Sequence, residues 1–278
     1  MKKIKLGVIG NGFVGEAISF AFSTITDLYI HDKDPSRSLN DVESVHNCNF
    51  VFICVPTPML NDGSQDLSYV ESVFEKATNK PIYIIKSTVL PGTTDYLSKK
   101  FSNFKIIFSP EFLTERTAKL DMLTQSRIIL GGDFKLTEKA KYLFNKRFKT
   151  KNIIQTDSKT AELIKYMNNA FFATKVSIMN EFKLLCDKIG ANWEDAIQGF
   201  VSDGRIGDSH LNVPGHDGKL GYGGTCFPKD INALLSFSKK HKIEMNTISG
   251  GWKTNLNIRP DKDWEKKEGR SVSFKKKS

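Results

Sequence analysis

The sequence lacks any apolar run approaching the ~20 residues that cross a bilayer, so no membrane span and no membrane partner are expected. No secretory leader is expected either. Met1-Lys2-Lys3-Ile4-Lys5-Leu6-Gly7-Val8-Ile9-Gly10 begins basic and turns apolar, but the apolar stretch breaks at once into glycines. A cytoplasmic protein is expected. Cysteine is scarce: the four residues Cys48, Cys54, Cys186 and Cys226 show no metal-ligand spacing. That excludes a disulfide scaffold, and no metal site is expected. Reduced thiols are the default, and one of them can serve as a nucleophile. Zinc-finger spacing, RNP-type aromatic motifs and internal repeats are absent, so nucleic acid is not an expected partner.

What is present suits a soluble globular chain. The 278 residues correspond to about two domains. Hydrophobic residues make up 39% and charged residues 26%, the ordinary balance for a chain that buries its own core. Lysine and arginine number 41 against 31 acidic residues, a net charge of +10 that favours anionic partners such as a nucleotide. Part of the excess is local, in Lys262, Lys266, Lys267, Arg270, Lys275, Lys276 and Lys277, and reads as a solvated tail.

Short runs of Ile, Val, Phe and Leu recur at 4–9, 28–31, 50–55, 82–86, 105–108 and 128–130, with an edge strand at 152–155 and a helix at 137–148. Strands that are apolar without alternation are covered on both faces, as in a parallel sheet built from βαβ units. The fold class expected is α/β: a Rossmann-type, doubly wound parallel sheet, then a long central helix and a small helical region. The long helix spans 160–189, capped by Asp157 or Ser158 and stopped by Gly190. Leu163, Met167, Ala170, Phe171, Thr174 and Ile178 mark one face, and Lys165, Asn169, Phe172 and Val176 the opposite one. Apolar residues on both faces indicate a helix buried on two sides, against the sheet domain and against another chain. A glycine-rich loop at 203–224 and a helix at 230–241 follow, and little periodicity remains beyond Gly250. The domains expected are 1–156, dinucleotide-binding; 157–241, helical with the cysteine loop; and 242–278, an irregular basic tail.

Gly10-Asn11-Gly12-Phe13-Val14-Gly15 follows the first strand and opens a helix, the dinucleotide fingerprint in its required context. The first glycine makes the turn, the second admits the pyrophosphate, and the third lets helix pack on strand. Asp32 ends the second strand, 22 residues after Gly10, where a carboxylate accepts ribose hydroxyls and repels a 2′-phosphate. NAD is therefore expected over NADP, with Gly10, Gly12, Phe13, Val14, Gly15 and Asp32 at the cofactor. Polar residues also end later strands: Pro56-Thr57-Pro58, Ser87-Thr88 and Ser109-Pro110-Glu111. Ligands of open α/β sheets lie along that edge, and three such ends in a row argue for a lined cleft, with Thr57 expected at the cofactor.

Gly221-Tyr222-Gly223-Gly224-Thr225-Cys226-Phe227-Pro228-Lys229-Asp230 sets a cysteine behind three glycines and ahead of an ammonium and a carboxylate. Glycines admit a ligand close to the backbone, and a neighbouring ammonium or helix N-terminus favours the thiolate. Cys226 thus reads as a nucleophile. Cys48, Cys54 and Cys186 lie in or beside apolar segments and read as core.

With these motifs in order, the sequence resembles the UDP-glucose/GDP-mannose dehydrogenase family, from Lys3 to about Leu235. The resemblance rests on the glycine turn, Lys86-Ser87-Thr88-Val89-Leu90-Pro91-Gly92, Ser109-Pro110-Glu111-Phe112-Leu113-Thr114-Glu115, Ala161-Glu162-Leu163-Ile164-Lys165 with Asn169, and the cysteine loop. It implies oxidation of a nucleotide-sugar primary alcohol to a carboxylate with two NAD per turnover, UDP-glucose being the expected substrate. It implies that Cys226 is the nucleophile, that Lys165 and Asn169 stabilise the oxyanion, and that Asp230 and Glu111 handle water and protons. It also implies that Thr88 lies near the reacting carbon and the nicotinamide, and that Glu115 and Lys229 lie at the cofactor. Phe112, Leu113, Arg205 and Gly223, with Glu111, Lys165 and Asn169, are implied at the substrate, and the long helix at a homodimer interface.

The chemistry asks for such residues independently. A thiolate traps the intermediate aldehyde as a thiohemiacetal, and loss of a second hydride leaves a thioester for water to cleave. Negative oxygen develops at each tetrahedral stage, which a fixed cation and an amide donor stabilise. Family members normally carry a second Rossmann-like domain that supplies much of the uridine and diphosphate pocket. No second strand-helix series follows Ser236. Three outcomes are expected: the tail and a partner subunit complete the pocket, a separate chain supplies it, or the protein is a reduced variant with altered substrate. The alternatives to a UDP-glucose dehydrogenase are a dehydrogenase for another UDP- or GDP-sugar, and a non-catalytic or partner-dependent NAD-binding relative.

Overall fold

In a computed structural model, residues 3–149 and 151–273 are described. The first apolar runs form a single sheet. Its strands are β1 (Ile4–Ile9), β2 (Thr26–His31), β3 (Phe50–Ile53), β4 (Ile82–Ile85), β5 (Lys105–Phe108), β6 (Arg127–Gly131) and β7 (Asn152–Thr156). The connecting helices are α1 (Phe13–Phe22), α2 (Val42–His46), α3 (Ser68–Ser72), α4 (Thr93–Lys100), α5 (Ala118–Thr124) and α6 (Phe134–Arg147). Strand order among the described residues is β2-β1-β3-β4-β5-β6-β7. Every pairing is parallel except β5 with β6, where Phe108 opposes Gly131 in antiparallel register. The expected parallel sheet is present, with one departure: β6 and β7 are parallel to each other but run against the other five.

Alternation along the strands covers both faces. Phe52, Ile84 and Ile107 pack with Phe22 of α1 and Phe144 of α6. Val51, Ile53, Tyr83, Ile85 and Phe108 pack with Val45, Val70 and Leu97 from α2, α3 and α4. The chain leaves β1 for β2 on one side and returns to β3 on the other. The C-terminal ends of β1 and β3 therefore flank the topological switch point, where ligands of such sheets bind.

The chain divides into two units. One holds the residues up to Thr57 and Gln65–Lys165; the other holds Pro58–Ser64 and the residues from Tyr166 onward. The first contains the sheet and the opening turns of α7 (Ser158–Ile189). Asp157 caps that helix by accepting from the Thr160 N–H at 2.9 Å, and Gly190 ends it at φ +74° with the Ala191 N–H on the Cys186 carbonyl. The second unit holds the rest of α7, then α8 (Trp193–Val201), α9 (Phe227–Lys240) and α10 (Asn246–Ile258).

Within the single chain, Met167, Phe171, Ile178, Phe182, Leu185 and Ile189 form an exposed stripe on α7, while Ala170 is buried; the second buried side of this helix is expected against another chain. A helix also forms at Trp193–Val201, outside the expected elements. One expectation is corrected here. The stretch from residue 242 is not irregular. It contains α10, a 3-10 turn at Asp263–Lys266 and the fully buried Trp264. Gly250 and Gly251 obscure α10 because each costs about 1 kcal/mol of helix propensity. Packing offsets that cost, since Gly251 lies against Ser177 of α7 and its carbonyl accepts the Ser177 hydroxyl at 2.8 Å. Lys275, Lys276 and Lys277 lie outside the described residues. Among those described, no helix is long and apolar enough to cross a membrane.

Candidate active site

The glycine turn is built by contact. Gly10 has φ +91°, and a Cβ there would lie 2.7 Å from the Cys54 carbonyl oxygen. A Cβ on Gly15 would lie 2.1 Å from the Gly10 carbonyl oxygen, so only glycine lets α1 pack this closely. A Cβ on Gly12 would meet nothing within 4 Å. Gly12 is also the N-cap of α1 and brings no side chain to its first N–H groups, while Phe13 and Val14 begin the helix and pack on the core. Open space at an uncapped helix N-terminus fits a dinucleotide pyrophosphate. Asp32 stands beside this turn. Its carboxylate accepts from the Asn11 N–H at 2.6 Å and the Asp34 N–H at 2.9 Å, tying the end of β2 to the glycines.

Further along the strand ends, the buried Thr57 hydroxyl donates to the Thr88 carbonyl at 2.7 Å, joining the loops after β3 and β4. Next to them Lys165 donates to Glu111 at 2.8 Å, both nearly inaccessible. The other Glu111 oxygen accepts from the Leu113 N–H at 2.7 Å, and the Phe112 ring lies under the Lys165 ammonium. Burial by itself raises a carboxyl pKa. The Lys165 charge and hydrogen bond, aided by Leu113 and Lys86, outweigh it and hold Glu111 below the usual range.

Lys86, at the head of the motif after β4, is a buried charge that sequence reasoning missed. Its ammonium is buried at the end of β4 and donates to the Pro110 carbonyl at 2.9 Å and the Ser109 hydroxyl at 3.2 Å. Burial pushes its pKa down to about 8. The signal was a lysine closing an otherwise wholly apolar strand. Glu162 is a second such residue. Its carboxylate, fully buried, accepts from the Gly92 N–H, the Thr94 N–H and the Thr94 hydroxyl at 2.6–2.7 Å, capping α4 from a distant element.

In the second unit Cys226 is the N-cap of α9, the end of a helix that favours negative charge. It is half-buried, with the Thr225 hydroxyl 3.8 Å from its sulfur. One turn later the buried Asp230 accepts from the Asn169 amide at 2.6 Å and from the Lys229 ammonium at 2.5 Å. Lys229, expected at the cofactor, is thus paired with its neighbour. Burial pushes the Cys54 thiol up to about 12 and Cys48 up to about 11, as suits core thiols.

Two expected site residues are not gathered with these. Arg205 is exposed on the 203–224 loop and pairs with Asp203. Glu115 lies on the exposed turn before α5, a helix packed against α1. Gly223 sits in the cysteine loop against Asp263 and Arg259.

Residues 36–148 match the NAD binding domain of the UDP-glucose/GDP-mannose dehydrogenase family, and residues 159–257 match its central domain. A UDP-glucose 6-dehydrogenase of Rickettsia prowazekii is 39% identical over 227 residues, covering 77% of this chain and 50% of the relative. The chain spans about half the length of the Rickettsia relatives it matches. Among solved structures, a UDP-glucose dehydrogenase from Pyrobaculum islandicum superposes with a TM-score of 0.81 at 27% identity, over 92% of this chain and 68% of that one. A 3-hydroxyisobutyrate dehydrogenase from Mycobacterium tuberculosis shares the fold alone, with a TM-score of 0.75 at 15% identity over 94% of this chain and 95% of that one. The glycine turn thus precedes the matched NAD binding domain and the cysteine loop lies within the matched central domain, in the order of the UDP-glucose/GDP-mannose dehydrogenase family, to which this chain belongs.

Proposed function

We propose that the protein oxidises a nucleotide sugar, UDP-glucose in the first instance, to its carboxylate in two steps through Cys226. The observation that carries this reading is the buried Asn169, Asp230 and Lys229 cluster one turn beyond a cysteine at a helix N-terminus. The glycine turn and Asp32 would hold NAD, which when bound supplies the hydride acceptor for both oxidations. The Cys226 thiolate adds to the C6 aldehyde to give a thiohemiacetal, which loses hydride to become a thioester. Lys165 and Asn169 stabilise the negative oxygen of the tetrahedral stages. Asp230 or Glu111 takes a proton from the water that cleaves the thioester, releasing carboxylate and regenerating the thiol.

The test is NADH formation with a panel of UDP- and GDP-sugars, read together with product. UDP-glucose should give two NADH per carboxylate formed. Cys226→Ser should stop the second oxidation while leaving NAD binding intact, because the cofactor turn lies in the other unit. Full carboxylate production by the serine variant overturns the nucleophile assignment. NAD binding with no turnover on any sugar nucleotide overturns the enzymatic reading of this chain. We further propose that a second copy of the chain covers the exposed stripe of α7, giving a homodimer.

A further inference from the structure

The backbone leading into Cys226 is held by side chains from α10 and the turn behind it. Arg259, at the C-cap of α10 and 3% exposed, divides its guanidinium among three acceptors. Nε donates to Asp263 at 2.8 Å, Nη1 to the Leu220 carbonyl at 3.2 Å, and Nη2 to Asp217 at 2.5 Å. Both carboxylates pass the restraint on: Asp263 accepts from the Gly224 N–H at 3.0 Å and Asp217 from the Lys219 N–H at 3.2 Å. One turn before Arg259, the buried Asn255 accepts from the Tyr222 N–H at 2.7 Å and donates to the Tyr222 carbonyl at 3.0 Å. Asn180 of α7 accepts from the Gly221 N–H at 3.0 Å. Gly223 lies flat on this assembly, where a Cβ would come within 2.1 Å of Asp263 and 2.6 Å of Arg259.

A loop with no packed side chain at three of its positions would ordinarily be mobile, because glycine leaves the backbone unrestrained. Here each residue from Gly221 to Gly224 is bonded to, or pressed against, a side chain from outside the loop. Two of the anchors are charge-assisted through a buried arginine, the stronger class of hydrogen bond. We propose that Arg259, acting through Asp263 and seconded by Asn255, is the positioning residue for Cys226: it fixes the glycine backbone and so sets where the thiol stands at the head of α9. This rests on the reading of Cys226 as nucleophile. It gives the stretch beyond residue 242, expected as an irregular tail, a part in the reaction.

The test uses the full chain with Arg259→Lys and Asp263→Asn, followed by mass-mapped alkylation of the native protein with iodoacetamide and by steady-state kinetics. An ammonium cannot reach three acceptors, and an amide at 263 cannot accept from Arg259 and Gly224 through two oxygens. Released from its anchors, the loop should expose the half-buried Cys226, so its alkylation should rise severalfold while Cys48, Cys54 and Cys186 stay protected. Misplacing a reacting group by about 1 Å costs on the order of a hundredfold, so kcat should fall between about tenfold and a hundredfold with KM for NAD unchanged. Arg259→Lys, which keeps the charge, should retain more activity than Arg259→Ala. If Cys226 reactivity and kcat are unchanged in the folded variants, the proposal is wrong. If all four cysteines open together in both variants, Arg259 serves global stability and the proposal is likewise wrong. A wild-type chain that turns over no sugar nucleotide overturns the functional reading instead, and the alkylation readout still reports on the loop.

Discussion

Two glycines of the same turn do different work, and substitution separates them. Gly12 has extended backbone angles that alanine adopts, with open space where a Cβ would project. Gly12→Ala should fold with stability within about 0.5 kcal/mol of wild type, as for a surface change, yet lose NAD affinity because the methyl occupies the approach to the pyrophosphate. Gly15→Ala should lose roughly 1–3 kcal/mol, as overpacking does, since its Cβ would collide with the Gly10 carbonyl. Urea melts and calorimetric NAD titration of both variants distinguish them; equal stability in the two would refute the packing account of Gly15. Glu162 makes a prediction in pH. Burial, with the nearby Asp95 charge, pushes its pKa up from 4.5 to about 7 against its three hydrogen bonds. On the same side Lys159 of α7 pairs with Asp95 of α4 at 3.4 Å. Between those two pKa values the folded chain binds more protons than the unfolded one, so the Glu162 contribution to stability falls as pH rises through that window. Glu162→Gln removes the titration. The wild-type advantage over this variant should shrink between about pH 4.5 and 7 and be level outside it. A difference that stays constant across the range rules the assignment out.

The central helix poses its question at the scale of an element. Met167, Phe171, Ile178, Phe182, Leu185 and Ile189 recur at helical spacing and stand open to solvent, up to 68% exposed. A contiguous apolar stripe of this length marks an interaction surface more often than a tolerated defect. A two-fold interface uses the same patch on both copies, which suits a single self-complementary helix face. Sedimentation at micromolar concentration should therefore give a dimer, and Phe171→Glu with Phe182→Glu should halve the mass without lowering the melting temperature of the monomer. A monomeric wild-type protein overturns the expectation.

For the whole molecule the cofactor is the lever. A ligand at a hundredfold excess over its Kd adds about 2.7 kcal/mol to the stability of the unit that binds it. NAD should raise the melting temperature by that equivalent, and NADP at the same concentration should raise it less if, as expected, the carboxylate of Asp32 repels a 2′-phosphate. Losing a charged hydrogen bond costs roughly 1.5–3 kcal/mol, or about ten- to a hundredfold in affinity. Asp32→Asn should weaken NAD by that order and narrow the gap to NADP. The carboxylate also holds the Asn11 N–H, so part of the loss comes from a looser glycine turn. Equal stabilisation of the wild type by both cofactors contradicts the role given to Asp32.

The sequence by itself determined the sheet strands, the glycine turn, the long helix with both its ends, and the cysteine loop. These are set by local physics: apolar runs, φ > 0 at Gly10 and Gly190, and an Asp cap one residue ahead of α7. The family could be read from the same residues because its motifs are contiguous. What only the tertiary structure decided is how charges are paired across distant segments. Lys86 and Glu162 look like ordinary polar residues until burial places one on the Pro110 carbonyl and the other on the head of α4. The helix α10 was hidden because Gly250 and Gly251 are poor helix formers, and close packing on α7 outweighs that preference. Arg259 lies more than thirty residues beyond the cysteine it is proposed to position. Asp263 is its neighbour one turn on, but Asp217 and Leu220 reach it only when the chain folds back on itself, and no local pattern records that return.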